Sequence, residues 1–215
     1  MDSSKNDANR GVPISRRAFA AGGAAIVSML ALGGVVKIAS ASEGYVRPPG
    51  AQDEQRLLAL CIKCDRCVGA CPQGAIGLLT IDEGIESSRT PTLRFDRGWC
   101  DFCAGESGFR CVANCPTEAI RAGFDPSVDK IGIARINTDE CLLYRSGSGK
   151  CSRQCINVCP YDALTLGDDG TLIVDEDLCN GCGACEYACP SSSYGRYTGS
   201  KRRGVEVVAF GGDER

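Results

Sequence analysis

A chain of 215 residues with 16 cysteines and no histidine excludes an imidazole base, a Cys/His nucleophile pair and a His-ligated zinc. Aromatic residues make up 6%, with one Trp and two Met, so a core of large side chains is in short supply and cross-links must help to hold the fold. Beyond residue 41 the chain carries 19 Lys and Arg against 25 Asp and Glu, a net of −6, which gives none of the basic footprint that nucleic-acid binding needs.

Residues 10–41 have a basic start, a weakly apolar stretch from Ala18 to Val36 and small residues at the end, the layout of a cleavable export signal. Gly22, Gly23, Gly33 and Gly34 make the stretch a poor buried helix, and it is only about long enough to span a bilayer. Ala39 and Ala41 form an A-x-A cleavage site, with Ser42 as the first mature residue. Ser15, Arg16, Arg17, Ala18 and Phe19 match the twin-arginine pattern, a route for proteins that are already folded, often with a cofactor inserted. The expected domains are a twin-arginine signal at 1–41, an N-terminal linker at 42–60, and two cysteine-rich units at 61–128 and 129–215.

The cysteines fall into four groups of four. Cys61, Cys64, Cys67 and Cys71 follow the C-x2-C-x2-C-x3-C-P run of bacterial 4Fe-4S ferredoxins, and Cys179, Cys182, Cys185 and Cys189 repeat it. Between them lie Cys100, Cys103, Cys111 and Cys115, with seven residues between the second and third, and Cys141, Cys151, Cys155 and Cys159, with three between Cys151 and Cys155. Every group ends in Cys-Pro. In such a run a short loop brings three thiolates to three irons of one cluster, while the fourth cysteine turns away to ligate the other cluster of a pair. Cys71, Cys115, Cys159 and Cys189 are the expected crossing ligands. Proline after each suits the opening of a short helix.

An internal repeat supports this reading: CPQGAI at 71–76, CPTEAI at 115–120 and CPYDAL at 159–164. Strand-like runs follow at Ile131 to Ile136 and Thr171 to Val174, the latter after the turn residues Gly167 to Gly170. The fourth group lacks the Ala-Ile element before the run Val205 to Phe210, so its closing hairpin is expected to be irregular. The fold class is α+β, tandem or nested two-cluster ferredoxin-like domains stabilised by their clusters, with little regular secondary structure. Nineteen residues separate Cys159 from Cys179 and 28 separate Cys71 from Cys100. These spacings favour pairing groups three with four and one with two, while nested pairing, one with four and two with three, stays open.

Other uses of sixteen cysteines fit less well. Disulfides, which an even count in an exported chain would otherwise suggest, do not require Cys-Pro at four group ends. Zinc held by four thiolates needs two C-x2-C pairs per ion, which the second and third groups lack. A redox-active pair at Cys100 and Cys103 finds no spare thiol once four tetrads are filled. Four 4Fe-4S clusters use all sixteen cysteines as ligands, and at about −2 each they bring the mature holoprotein to roughly −14, which favours a partner with a basic docking face. The run Lys201, Arg202, Arg203 reads as a solvated loop.

The chain resembles the ferredoxin-type proteins of the NapG and MauM group. Beyond the cysteines, the resemblance rests on the twin-arginine leader, on VRPPGA at 46–51 and on KIGIARINTDECLLY leading into the third group. It implies a periplasmic electron-transfer subunit at the inner membrane, working with a polytopic iron-sulfur membrane protein that oxidises quinol. Electrons would pass towards a periplasmic acceptor, a cytochrome or a reductase such as nitrate reductase. MauM-type members are linked instead to maturation of the quinone cofactor of methylamine dehydrogenase. A third reading is the electron-transfer subunit of a molybdopterin oxidoreductase. No nucleic acid is expected as a partner, association with the membrane runs through the partner subunit, and no base, nucleophile or substrate-pocket signature marks the chain as an enzyme in its own right.

Overall fold

The computed structural model describes residues 44–145, 151–191 and 202–210. The signal expected at 1–41 lies outside them, and among the described residues no helix is long and apolar enough to cross a membrane. In chain order the elements are α1 (Glu54–Leu60), α2 (Arg66–Ala70), β1 (Ile76–Leu78), β2 (Pro91–Leu93), α3 (Arg110–Ala113), β3 (Gly132–Ile136), α4 (Gln154–Asn157), β4 (Leu164–Leu166), β5 (Leu172–Val174), α5 (Ala184–Tyr187) and β6 (Val205–Ala209). Three antiparallel two-stranded sheets result: β1 with β2, β4 with β5, and β3 with β6, the last in the register Gly132 opposite Ala209 to Ile136 opposite Val205. The mixed, sparse secondary structure is that of small ferredoxin-type domains.

None of these pieces is stable alone. Helices of four to seven residues fall short of the dozen or so that a helix needs in water, and an isolated two-stranded ribbon is marginal. The core that joins them is small and rich in thiols: Cys111, Cys155, Cys179, Cys182 and Cys185 are buried in one cluster with Leu57, Ile76, Phe95, Phe102, Ile120, Ile131, Leu164 and Val205. The described residues all fall within one compact unit, so those on either side of the expected 128/129 boundary belong to a single body.

The segment expected as a linker is instead built into that body. Val46 and Ala51 are buried, Pro48 and Pro49 fully so, and Arg47 is 3% exposed. Arg47 Nε donates to Glu54 Oε2 at 2.7 Å, while Nη1 donates to Thr90 Oγ1 at 3.0 Å and to the Pro91 carbonyl at 2.6 Å. Leu93 N–H donates to the Val46 carbonyl at 2.8 Å, so this strap edges the β1–β2 ribbon and ties it to α1, whose first turn Asp53 caps through Arg56 N–H. Arg47→Ala leaves the Thr90 hydroxyl, the Pro91 carbonyl and a partly buried Glu54 without their donor, and is expected to destabilise the protein by about 3 kcal/mol. Arg47→Lys restores little of it, because the guanidinium fork serves three acceptors. Thermal melting of both variants checks this.

One expectation about the repeat is revised. The run expected after CPTEAI forms β3, although Ile120 itself opens no strand as Ile76 and Leu164 do; there Arg121 N–H donates to the Gly50 carbonyl at 3.1 Å instead. The run at 205–210 forms the regular strand β6. Of the basic run before it, Lys201 lies outside the described residues. Arg203 is not simply solvated: its Nη1 donates to the Glu186 carbonyl and its backbone N–H to Glu206 Oε1. With Val207 N–H donating to Glu186 Oε2 at 2.7 Å, these bonds pin β6 to α5.

Candidate iron-sulfur sites

No disulfide joins any of the sixteen cysteines, and the fold gathers them by fours. Cys61 and Cys64, from the loop between α1 and α2, and Cys67, in the first turn of α2, line a hollow with Cys115, which follows α3. Cys179, Cys182 and Cys185 share another with Cys159, and Cys141, Cys151 and Cys155 share a third with Cys189. In the remaining set, Cys100, Cys103 and Cys111 meet Cys71: burial first, then the nearby thiolates of Cys111 and Cys71, raise the Cys100 thiol. Each set thus takes three thiols from one sequence group and the last from its neighbour, the first and second groups exchanging cysteines and the third and fourth doing likewise.

The repeated Cys-Pro-x-x-Ala segment explains the exchange. Gly74, Glu118 and Asp162, each third after its cysteine, are left-handed with φ of 63°, 54° and 52°. That turn sends the chain back into the core, where Ala75, Ala119 and Ala163 are buried. It also aims N–H groups at sulfur: Ile120 N–H donates to Cys115 Sγ at 3.4 Å and Ala163 N–H to Cys159 Sγ at 3.3 Å. Further N–H donors reach sulfur at Cys103, from Arg110 at 3.5 Å, and at Cys179, from Ala134 on β3 at 3.4 Å. At the fourth Cys-Pro, where the repeat fails, the Ser191 hydroxyl lies 3.0 Å from Cys189 Sγ.

Eight of the thiols are pushed above the ordinary range by their surroundings and one is held below it. Burial, reinforced by neighbouring thiolates, pushes Cys67, Cys155 and Cys182 up to about 11 and Cys111 up to about 12. Cys185 is raised by burial and by Cys182 and Cys179. Cys115 is the exception: burial raises it, yet the N–H groups of Ile120, Thr117 and Ala119 hold it below the ordinary thiol range. Four thiols crowded together are therefore a site that only positive charge relieves, and metal binding must expel their protons.

A single ion does not match the arrangement. Tetrahedral zinc draws its four sulfurs to about 2.3 Å of one point. Among the described residues, no three ligating side chains converge closely enough for one ion. A 4Fe-4S cluster, whose several irons each take one thiolate, suits both the count and the spread. Asn180 fits it too. This residue, 4% exposed, lines the hollow of Cys179, Cys182 and Cys185 and keeps its side-chain NH2 without a protein partner, a donor of the kind that cluster sulfides accept.

Two of the sets are joined directly. Cys100 N–H donates to the Cys182 carbonyl at 2.8 Å, a direct backbone bond between a thiol-bearing residue of one set and that of another. The Phe102 ring, part of an aromatic cluster with Phe109 and Phe124, meets Tyr161 edge-on at 6.5 Å. Nothing in the sequence singled out Asn180 or Tyr161, since each is an ordinary loop residue until the fold brings the halves together.

Comparison with known proteins agrees with this chemistry. Residues 60–119 match the 4Fe-4S dicluster domain family and residues 148–197 the LdpA Fe-S cluster-binding domain family. The first match contains all eight cysteines of groups one and two. The chain is 33% identical over 193 residues to the methylamine utilization ferredoxin-type protein MauM of Paracoccus denitrificans, covering 82% of this chain and 83% of that one. It is 31% identical over 186 residues to the ferredoxin-type protein NapG of Escherichia coli, covering 79% and 76%. The chain belongs to the NapG/MauM family of ferredoxin-type proteins. The ferredoxin-type protein NapF of Escherichia coli is also similar, 31% identical over 158 residues, covering 71% of this chain and 84% of its own. Like these NapG/MauM-type relatives, the chain is an iron-sulfur electron-transfer protein of ferredoxin type.

Proposed function

We propose that the protein carries four 4Fe-4S clusters and passes electrons from a quinol-oxidising iron-sulfur membrane subunit towards a periplasmic acceptor, a cytochrome or a reductase such as nitrate reductase. The observation that carries this reading is the assembly of all sixteen thiols into four sets of four, with an exchanged cysteine in each. Cys61, Cys64, Cys67 and Cys115 would hold one cluster, Cys71, Cys100, Cys103 and Cys111 the next, Cys159, Cys179, Cys182 and Cys185 the third, and Cys141, Cys151, Cys155 and Cys189 the last. Such a cluster, when bound, supplies reversible one-electron chemistry at a potential set by hydrogen bonds to sulfur and by solvent exposure. The chain's own contribution is to fix the four in one body and supply those N–H donors, acting as a carrier and not as an enzyme. The twin-arginine leader supports export of the folded protein to the periplasm.

Iron and acid-labile sulfide on anaerobically purified protein should each come to about sixteen per chain if four cubanes are present. Electron paramagnetic resonance of the reduced protein then tests the exchange of ligands. Cys115→Ala and Cys61→Ala are expected to perturb the same cluster signal, and Cys115→Ala and Cys103→Ala different ones. Reduction of the loaded protein by quinol in membranes containing the partner subunit tests the direction of flow, and its absence there removes the quinol reading.

The similarity to MauM favours a second reading, in which the same clusters exchange electrons during maturation of the cofactor of methylamine dehydrogenase. Deleting the gene separates the two: loss of nitrate reduction supports the first, and accumulation of inactive methylamine dehydrogenase the second.

A further inference from the structure

Of the sixteen thiols, Cys64 is the one classed as exposed. The corresponding cysteine of the fourth group, Cys182, is buried, and the loops that present the two differ in a telling way. Both loops place left-handed residues on either side of the middle cysteine. Around Cys182 these are Gly181 and Gly183, where a Cβ would lie 2.4 Å from Gly132 backbone and 2.1 Å from the Phe95 ring. Around Cys64 they are Lys63 and Asp65, at φ of 56° and 62°. The fourth-group loop is roofed by the rest of the body, whereas in the first-group loop Ile62, Lys63, Cys64 and Arg66 are exposed.

What surrounds Cys64 is an apolar centre with a cationic rim. Ile62 is 63% exposed and Leu60 37%. Lys63 and Arg66 are exposed and make no ion pair among the described residues. Arg89 is exposed and pairs with Asp65 at 2.8 Å, the one carboxylate lining this site. The chain beyond residue 41 has a net charge of −6, so this rim runs against the balance of the molecule. Overall acidity points to a basic partner, but the exposed site asks for the opposite.

We infer that the loop around Cys64 is a docking port through which electrons enter or leave, and that it fits a redox protein whose contact face is apolar at its centre and rimmed with carboxylates. The inference rests on the electron-carrier reading above. Charge complementarity of this kind steers encounter more than it adds affinity, and it fades as salt screens it. The backbone bond between Cys100 and Cys182 joins two of the other sets, so the Cys64 set is not at that junction.

The test uses small acceptors in place of the unknown partner. Holoprotein is reduced with dithionite, and its reoxidation is followed by stopped flow with Co(EDTA)−, an anion, or with hexaamminecobalt(III), a trication; each takes one electron as Co(III) becomes Co(II). Iron content and the resonance spectrum are recorded first for every variant. Failure to hold iron or to be reduced overturns the carrier reading itself, separately from the port. With loaded protein, the double variant Lys63→Glu, Arg66→Glu is expected to slow the anionic acceptor about 5- to 10-fold and to speed the trication, at low ionic strength. In 1 M salt, where the Debye length is about 3 Å, the difference should vanish. Arg135→Glu, a charge reversal at the half-exposed end of β3 in the other half, serves as the control. Unchanged rates in the double variant, or an effect carried by Arg135→Glu instead, would overturn the port. The salt dependence of the unmodified protein gives a second readout: reoxidation by the anion that does not slow as salt rises also counts against it.

Discussion

Stripping iron from the protein under anaerobic chelation is expected to abolish cooperative melting and most of the far-ultraviolet circular dichroism. Strands of three to five residues and helices of four to seven cannot persist without tertiary support. The support they have is a core in which five buried cysteines sit among modest apolar side chains. With metal, those thiols are ligands and their sets are closed. Without it, burial and mutual repulsion keep thiols such as Cys111 protonated, and sixteen of them spread from Cys61 to Cys189 no longer hold distant segments together. Binding energy of the metal is then folding energy. Iron-free protein that kept its dichroism and a sharp thermal transition would show that the apolar core suffices by itself, and the structural role assigned to the thiol sets would fall.

The second large effect is expected from one methyl group. Gly181→Ala places a Cβ 2.4 Å from the Gly132 nitrogen and 2.5 Å from its carbonyl carbon and oxygen, at a φ of +82°. The obstruction is backbone, so no rotamer relieves it, and the left-handed conformation adds its own cost for a side chain. Together these amount to about 4 kcal/mol. Gly132 opens β3, and Ala134 two residues on donates its N–H to Cys179 Sγ, so the displacement reaches a thiol set directly. Lower iron content and a lower melting temperature are the expected readings. Lys63→Gly, the corresponding change in the open first-group loop, should alter stability by less than about 1 kcal/mol, because relief of left-handed strain opposes the added freedom of the unfolded chain. Equal effects at the two positions would mean that the fourth-group loop is not clamped as the geometry indicates.

The thiol groups were legible in the sequence because spacing along the chain is itself the geometric code: two residues between cysteines are what a loop around one corner requires. The same holds for β3, β5 and β6, where β-branched and aliphatic residues lie between turn signals. The strap at 46–51 was not legible as structure. VRPPGA contains two prolines, which read as a linker, and only the burial of Arg47 between Glu54, Thr90 and Pro91 shows that it closes the first half. That Ile120 opens no strand, unlike Ile76 and Leu164, has no local signal. Asn180 and Tyr161 matter through contacts with residues many positions away, and a single sequence carries no record of those.

The pairing of β3 with β6 sets an order of assembly during synthesis. The strap and the first two cysteine groups can close once Arg121 has met Gly50, whereas Gly132 finds its partner only when Ala209 has been made. At typical translation rates those 88 intervening steps take roughly 4 to 18 s. The nascent chain thus offers half of its thiols in grouped form while the others are still strung along an unfinished polypeptide.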